Sequence, residues 1–168
     1  MGDLYELLKG RLQGVKKIAV LGVGSVLRAD DAAGVFIVEK LKNVFDPAEY
    51  PDIRFYNGET APENFSGEIK NFCPSHLLVI DAADAGEQPG SIMHIDPKDI
   101  GGLTFCTHMM PLKIMIDYLQ KETGTAVTLI GIQYKDITFD GGVTPEIQEA
   151  IDEVYETIKR IINEIVHI

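Results

Sequence analysis

The chain has 168 residues, 45% of them hydrophobic and 24% charged, and its 15 Lys plus Arg stand against 26 Asp plus Glu, a formal net charge of −11. That length suits one domain able to bury roughly 70% of its unfolded-chain surface, and the acidic excess argues against nucleic acid as a partner. No apolar run approaches the roughly 20 residues of a membrane span, and the first residues lack the apolar core of a secretory signal. Two cysteines, Cys73 and Cys106, make no disulfide scaffold, so the expectation is a soluble, cytoplasmic, single domain.

In chain order, Leu4, Leu7, Leu8 and Leu12 predict a short helix before the first strand. Ile18–Gly24 reads as a strand, Asp30–Leu41 as a helix with apolar residues at three- and four-residue spacing, and Ile53–Asn57 as a second strand. Pro62–Phe72 is a weaker helix candidate, followed by strands at His76–Ala82 and Ser91–Asp96. A helix over Met110–Gln120 and a strand over Val127–Gln133 come next. Thr144 can cap a last helix that Pro145 opens and Glu146 suits electrostatically. Its apolar stripe is Ile147, Ile151, Val154, Ile158, Ile161 and Ile165.

The first, third and fifth strands are nearly continuous in Val, Ile and Leu, as strands covered on both faces are. The alternation predicts a three-layer α/β domain, a mostly parallel five-stranded sheet with helices on both faces. Only Ala83–Gly90 separates the third strand from the fourth, too short for a parallel crossover. The strand at about 91–96 is therefore expected to run antiparallel, near an edge.

Ligands in such sheets bind outside the carboxyl ends of the strands, which directs attention to the loops after Gly24, Asn57, Ala82 and Gln133, all but the last with carboxylates near the strand end. The first, GVGSVLRADDAAG (Gly22–Gly34), opens like a dinucleotide fingerprint. Leu27 stands where its third glycine belongs, and Asp30 and Asp31 would repel a phosphate from the helix end. Helix capping accounts for one of those aspartates and leaves the other for different work. Asp81 ends the third strand after four apolar residues, so it should be partly buried beside the first loop. His108, in CTHMMPL, precedes a helix; alone it is an ordinary loop histidine, and it gains weight beside Asp31 and Asp81. His76, His94 and His167 have structural or terminal readings.

Nucleophilic catalysis lacks support: there is no GxSxG elbow, and Cys106 and His108 sit two residues apart. Asp31, Asp81 and His108 form an oxygen- and nitrogen-rich set able to hold a divalent metal with open positions. A two-carboxylate acid/base pair is the other chemical option. Thr107, Met109 and Met110 either shape a substrate surface or pack in the core.

These segments resemble the nickel–iron hydrogenase maturation endopeptidases, most closely the type serving the formate hydrogenlyase hydrogenase. The likeness is carried by LGVGSVLRADDAAG (Leu21–Gly34), NGETAPEN (Asn57–Asn64) and LLVIDAADAGEQPGSI (Leu77–Ile92). It continues with IDPKDI (Ile95–Ile100), THMMPL (Thr107–Leu112) and LIGIQ (Leu129–Gln133). It implies one hydrogenase maturation protease domain over 1–168, with a family core at 17–160 and an extra N-terminal helix in 1–16. It also implies an aspartyl-type endopeptidase that removes the C-terminal extension of the hydrogenase large-subunit precursor after nickel insertion. Asp31, Asp81 and His108 fall on the family's nickel-contacting and catalytic positions, the nickel being carried by the substrate rather than held tightly by the free enzyme. Ser25 stands where the family usually has Asn, and Asn57 where an Asp often ends the second strand. Two other functions remain to be weighed, a nucleotide-binding module built on GVGSVL and a self-sufficient zinc or nickel amidohydrolase.

Overall fold

The computed structural model describes residues 2–100 and 109–166. The chain runs α1 (Gly2–Leu12), β1 (Ile18–Val23), α2 (Ala33–Lys42), β2 (Ile53–Glu59), α3 (Ser66–Phe72) and β3 (His76–Ala83), then β4 (Ile92–Ile95), α4 (Met109–Thr123), β5 (Ala126–Gln133) and α5 (Pro145–Val166). Single 3-10 turns precede α2 (Ala29–Ala32) and α3 (Pro62–Phe65), and another follows β4 (Pro97–Asp99). The sheet order is β2-β1-β3-β5-β4. The first four strands in that order pair in parallel, and β4 pairs antiparallel with β5 at the edge. The short β3–β4 connection thus gives the reversal its length demands.

Strand alternation divides the core into two layers. Val20, Leu78, Ile80 and Ile130 point toward α1, α2 and α5, while Leu21, Leu77, Val79 and Leu129 point toward α3 and α4. The stripe Ile147, Ile151, Val154, Ile158 and Ile161 is buried, so α5 forms because one of its faces completes a core. Leu4, Leu8 and Leu12 are buried in that same layer, and Tyr5 donates from its hydroxyl to Glu164 Oε2 at 2.8 Å, so α1 lies on α5. None of the described helices is long and apolar enough to cross a membrane.

The helix expected over Asp30–Leu41 is divided, with the 3-10 turn carrying both aspartates and α2 starting at Ala33. Capping by Asp30 or Asp31 is not what occurs: Arg28 and Ala32 hold the N-cap positions, and neither helix start receives a side-chain cap. The carboxylates are used elsewhere, because the turn is pressed against the strands and against the loop that follows β5.

Candidate active site at the carboxyl edge

Chain order reverses between β1 and β3. From β1 the chain goes to β2 on one side, then returns to β3 on the other. A crevice opens outside the carboxyl ends of two strands at such a switch point. The turn after β1 is shaped to lie directly on it. A Cβ at Gly22 would fall 2.3 Å from the Gly34 carbonyl oxygen, one at Gly24 1.7 Å from that of Asp31, and one at Gly34 2.2 Å from that of Ile80. Gly24 also holds φ +130, which side chains disfavour. The glycines let backbone pack on backbone, and the chain itself fills the space a pyrophosphate would need. The nucleotide-binding reading is not supported.

This packing sets Asp31 beside the end of β3. Gly34, three residues after Asp31, abuts Ile80, the residue before Asp81. Both aspartates are buried. Asp31 Oδ2 accepts from the Ser25 backbone N–H at 2.8 Å. Because that donor is main chain, Ser in place of Asn at this position keeps the bond. Asp81 stands opposite Gly131 of β5 and shares strand parity with Leu77, Val79 and Ala83, which pack in the α3/α4 layer. Its side chain therefore lies on the face from which α4 starts at Met109. His108, with Cys106 and Thr107, lies outside the described residues, as does His167. Among the described residues, no three His, Cys, Asp or Glu side chains are grouped to hold a metal.

Asp30 has a different job. Its carboxylate accepts from the backbone N–H of Lys135 (3.0 Å), Asp136 (2.8 Å) and Thr144 (2.7 Å), and from the Thr144 hydroxyl (3.0 Å). Its own N–H donates to the Asp136 carbonyl oxygen at 3.0 Å. Asp30 thus ties the aspartate-bearing turn to the loop after β5. Gln133, at the end of β5, does the same for the loop after β3. Its Oε1 accepts from Ala85 N–H (2.8 Å) and Glu87 N–H (3.2 Å), and its Nε2 donates to Asp84 Oδ1 at 3.2 Å. Sequence reasoning missed both roles, since their partners are distant in the chain; the one available signal is that each residue borders a carboxyl strand end. Asn57 donates from Nδ2 to Glu39 Oε1 of α2 at 3.3 Å, a contact an aspartate at that position could not make.

His76 and His94 fit their structural readings. His76 opens β3 at the opposite, amino end of the sheet, and its Nε2 hydrogen-bonds Thr128 Oγ1 at 2.9 Å. Burial, with a smaller contribution from Arg11, lowers its pKa from 6.5 to about 4, so it stays neutral near pH 7. Burial also pushes His94, on edge strand β4, below its ordinary value.

The carboxyl edge is acidic. Its loops expose, wholly or in part, Glu59, Glu63, Asp84, Glu87, Asp136 and Asp140, against Arg28 and a Lys135 that pairs with Glu146 at 2.6 Å. Apolar side chains border the same edge: Val26 and Leu27 after β1, Phe139 after β5, and Met110, Ile114 and Tyr118 along α4. Met110 is 63% exposed, so it shapes a surface and is not core.

The chain resembles known proteins over nearly its whole length. Residues 35–161 match the family HycI, hydrogenase maturation protease. The hydrogenase 3 maturation protease of Escherichia coli K12 is 36% identical over 141 residues, 83% of this chain and 87% of that protein. The crystal structure of the nickel–iron hydrogenase maturation protease HycI from Thermococcus kodakarensis KOD1 superposes with a TM-score of 0.85 at 30% identity, covering 94% of this chain and 99% of that one. The E. coli hydrogenase maturating endopeptidase HybD superposes with a TM-score of 0.72 at 28% identity, covering 88% and 93%. None of these relatives supports the amidohydrolase alternative. With this fold, this edge and these matches, the chain belongs to the hydrogenase maturation protease family and is a peptide-bond hydrolase.

Proposed function

We propose that the protein removes the C-terminal extension of a nickel–iron hydrogenase large-subunit precursor once nickel is installed, with Asp31, Asp81 and His108 contacting the nickel that the precursor carries. The observation that carries this reading is the burial of Asp31 and Asp81 at the β1/β3 switch point, with α4, the helix that His108 precedes, starting on the face of Asp81. Further support comes from membership of the family and from two similar proteins whose names specify hydrogenase maturation.

The donor chemistry suits a metal that visits. Two carboxylates and an imidazole lack the thiolates that grip nickel firmly, whereas the active-site cysteines of the precursor supply them. The cleft then completes a coordination sphere only when loaded precursor docks, so the metal reports maturity and places the scissile bond. The chain's own contribution is positional. Ser25 N–H orients Asp31, Asp30 and Gln133 fix the flanking loops, and the glycine contacts hold the two aspartates in register. The reaction belongs in the cytoplasm on this reading, in keeping with a free, exposed Cys73 thiol.

Asp31→Asn, Asp81→Asn and His108→Ala each test the assignment. Each variant should keep the wild-type circular dichroism spectrum and unfolding midpoint and leave nickel-loaded precursor uncut. Normal processing by any one of them removes that residue from the site.

A further inference from the structure

We propose that the groove between α3 and α4 holds the precursor's C-terminal extension, in the form of an extended segment that sets a basic side chain beside apolar ones. The inference rests on the processing function above and names the surface that this function uses beyond the cleavage point.

The groove has a volume of about 530 Å³ and is walled by Met110, Ile114, Met115 and Tyr118 of α4, with Glu63 and Ser66 opposite. The sheet does not require it. Leu112, Met115, Ile116 and Leu119 already form the stripe by which α4 buries itself. Met110, Ile114 and Tyr118 make a second stripe at four-residue spacing, and Met110 and Ile114 are 63% and 66% exposed. An apolar helix face left in water beside a recess marks an interaction site.

Three features select the occupant. The first is continuity. Met110 lies two residues beyond His108, at the carboxyl edge, and α4 descends from there, so the groove begins beside the proposed cleavage point and leads away from it. The second is size. From Met110 to Tyr118 the helix rises about 12 Å, the length of about four residues of extended chain, so a recess of about 530 Å³ along it accommodates a short extended segment. The third is charge. The Glu63 carboxylate, at the mouth, has no hydrogen-bond or ion-pair partner among the described residues, whereas two lysines of the flanking helices, Lys70 and Lys113, are neutralised. Lys70 pairs with Glu122 at 2.8 Å and Lys113 with Asp117 at 3.0 Å. Glu59, Asp84 and Glu87 lie on other loops of the same carboxyl edge. An acidic segment is repelled here and a basic one is drawn in. Binding energy gathered in this groove, away from the scissile bond, holds that bond in place.

The test is steady-state processing of purified nickel-loaded precursor by wild type, Ile114→Arg, Met110→Arg, Glu63→Lys and, as a control away from this edge, Val44→Arg. These side chains are exposed, and matching thermal midpoints confirm folding. The arginine variants should raise KM about tenfold or more, the loss expected for one buried apolar contact, with a much smaller change in kcat. Glu63→Lys should raise KM severalfold and flatten the increase of KM with salt that wild type shows; Val44→Arg should match wild type. Unchanged KM in both arginine variants overturns the proposal while leaving the processing function standing. So does equal weakening of binding to the mature subunit that lacks the extension, which assigns the groove to the folded body. A wild-type dimer that Ile114→Arg converts to monomer in sedimentation assigns it to a second copy and also overturns the proposal. Failure of the underlying function is separately visible, as wild type leaving the loaded precursor intact.

Discussion

On the proposed assignment of Asp31 and Asp81, Gly34 is the position where packing and catalysis are most tightly joined, and Gly34→Ala separates them. The added Cβ would meet the Ile80 carbonyl oxygen at 2.2 Å and that of Val23 at 2.7 Å, where 3.4 Å begins ordinary contact. Relief needs a displacement of about 1 Å. Both obstacles are strand backbone, so the first turn of α2 must lift and carry the aspartate-bearing turn with it. Overpacking of this kind costs about 1–3 kcal/mol, and exchanging a helical Gly for Ala returns up to about 1 kcal/mol. The net loss of stability is therefore modest, about 0–3 kcal/mol. A shift of about 1 Å between Asp31 and Asp81 has a larger effect on rate, on the order of 100-fold. Urea unfolding and single-turnover processing of nickel-loaded precursor measure the two effects on one preparation. Gly10→Ala is the control: it lies in α1 with nothing within 4 Å of a new Cβ, so it should gain stability without changing the rate. A Gly34→Ala protein that processes at the wild-type rate would refute the argument that close backbone contact sets the register of the two carboxylates.

Asp30→Ala removes the acceptor of three backbone N–H groups and one hydroxyl. It should cost about 3–5 kcal/mol, read by urea unfolding, and a loss below 1 kcal/mol would contradict the clamp assigned to it. His76 gives a pH signature. Its imidazole gains a proton near pH 6.5 in the unfolded chain and near 4 in the folded one. Its contribution is therefore whole above pH 6.5 and declines as the pH falls toward 4, by about 2–3 kcal/mol in all. His76→Gln removes that titration, so between pH 7 and pH 4 wild type should lose about 2–3 kcal/mol more than the variant; parallel stability curves would contradict the buried neutral state. Gln133→Leu, which releases the loop after β3, should speed hydrogen exchange at Ala85 and Glu87, and unchanged protection there would show that the loop is held by other contacts.

Much of this fold is legible in the sequence, because periodicity and connection length are local. The Val-, Ile- and Leu-rich runs mark β1, β3 and β5, the isoleucine stripe marks α5, and the short link before Ser91 dictates the reversed edge strand. That Asp31 and Asp81 both belong to the carboxyl edge, after β1 and at the end of β3, is legible, since strand-end positions follow from the order of elements. The division of labour between Asp30 and Asp31 is not. Both suit a helix start, and what singles out Asp30 is a loop more than a hundred residues away that turns three N–H groups toward its carboxylate. The acidic edge and the groove on α4 are likewise invisible in composition, because a net charge of −11 has no direction until the topology gathers the loops of one edge.

Incubating the pure protein with large-subunit precursor that carries or lacks nickel, and weighing the products by intact mass spectrometry, tests the central proposal most directly. Loss of the C-terminal extension from the loaded precursor alone is the predicted result. Equal cleavage of the nickel-free precursor would contradict it.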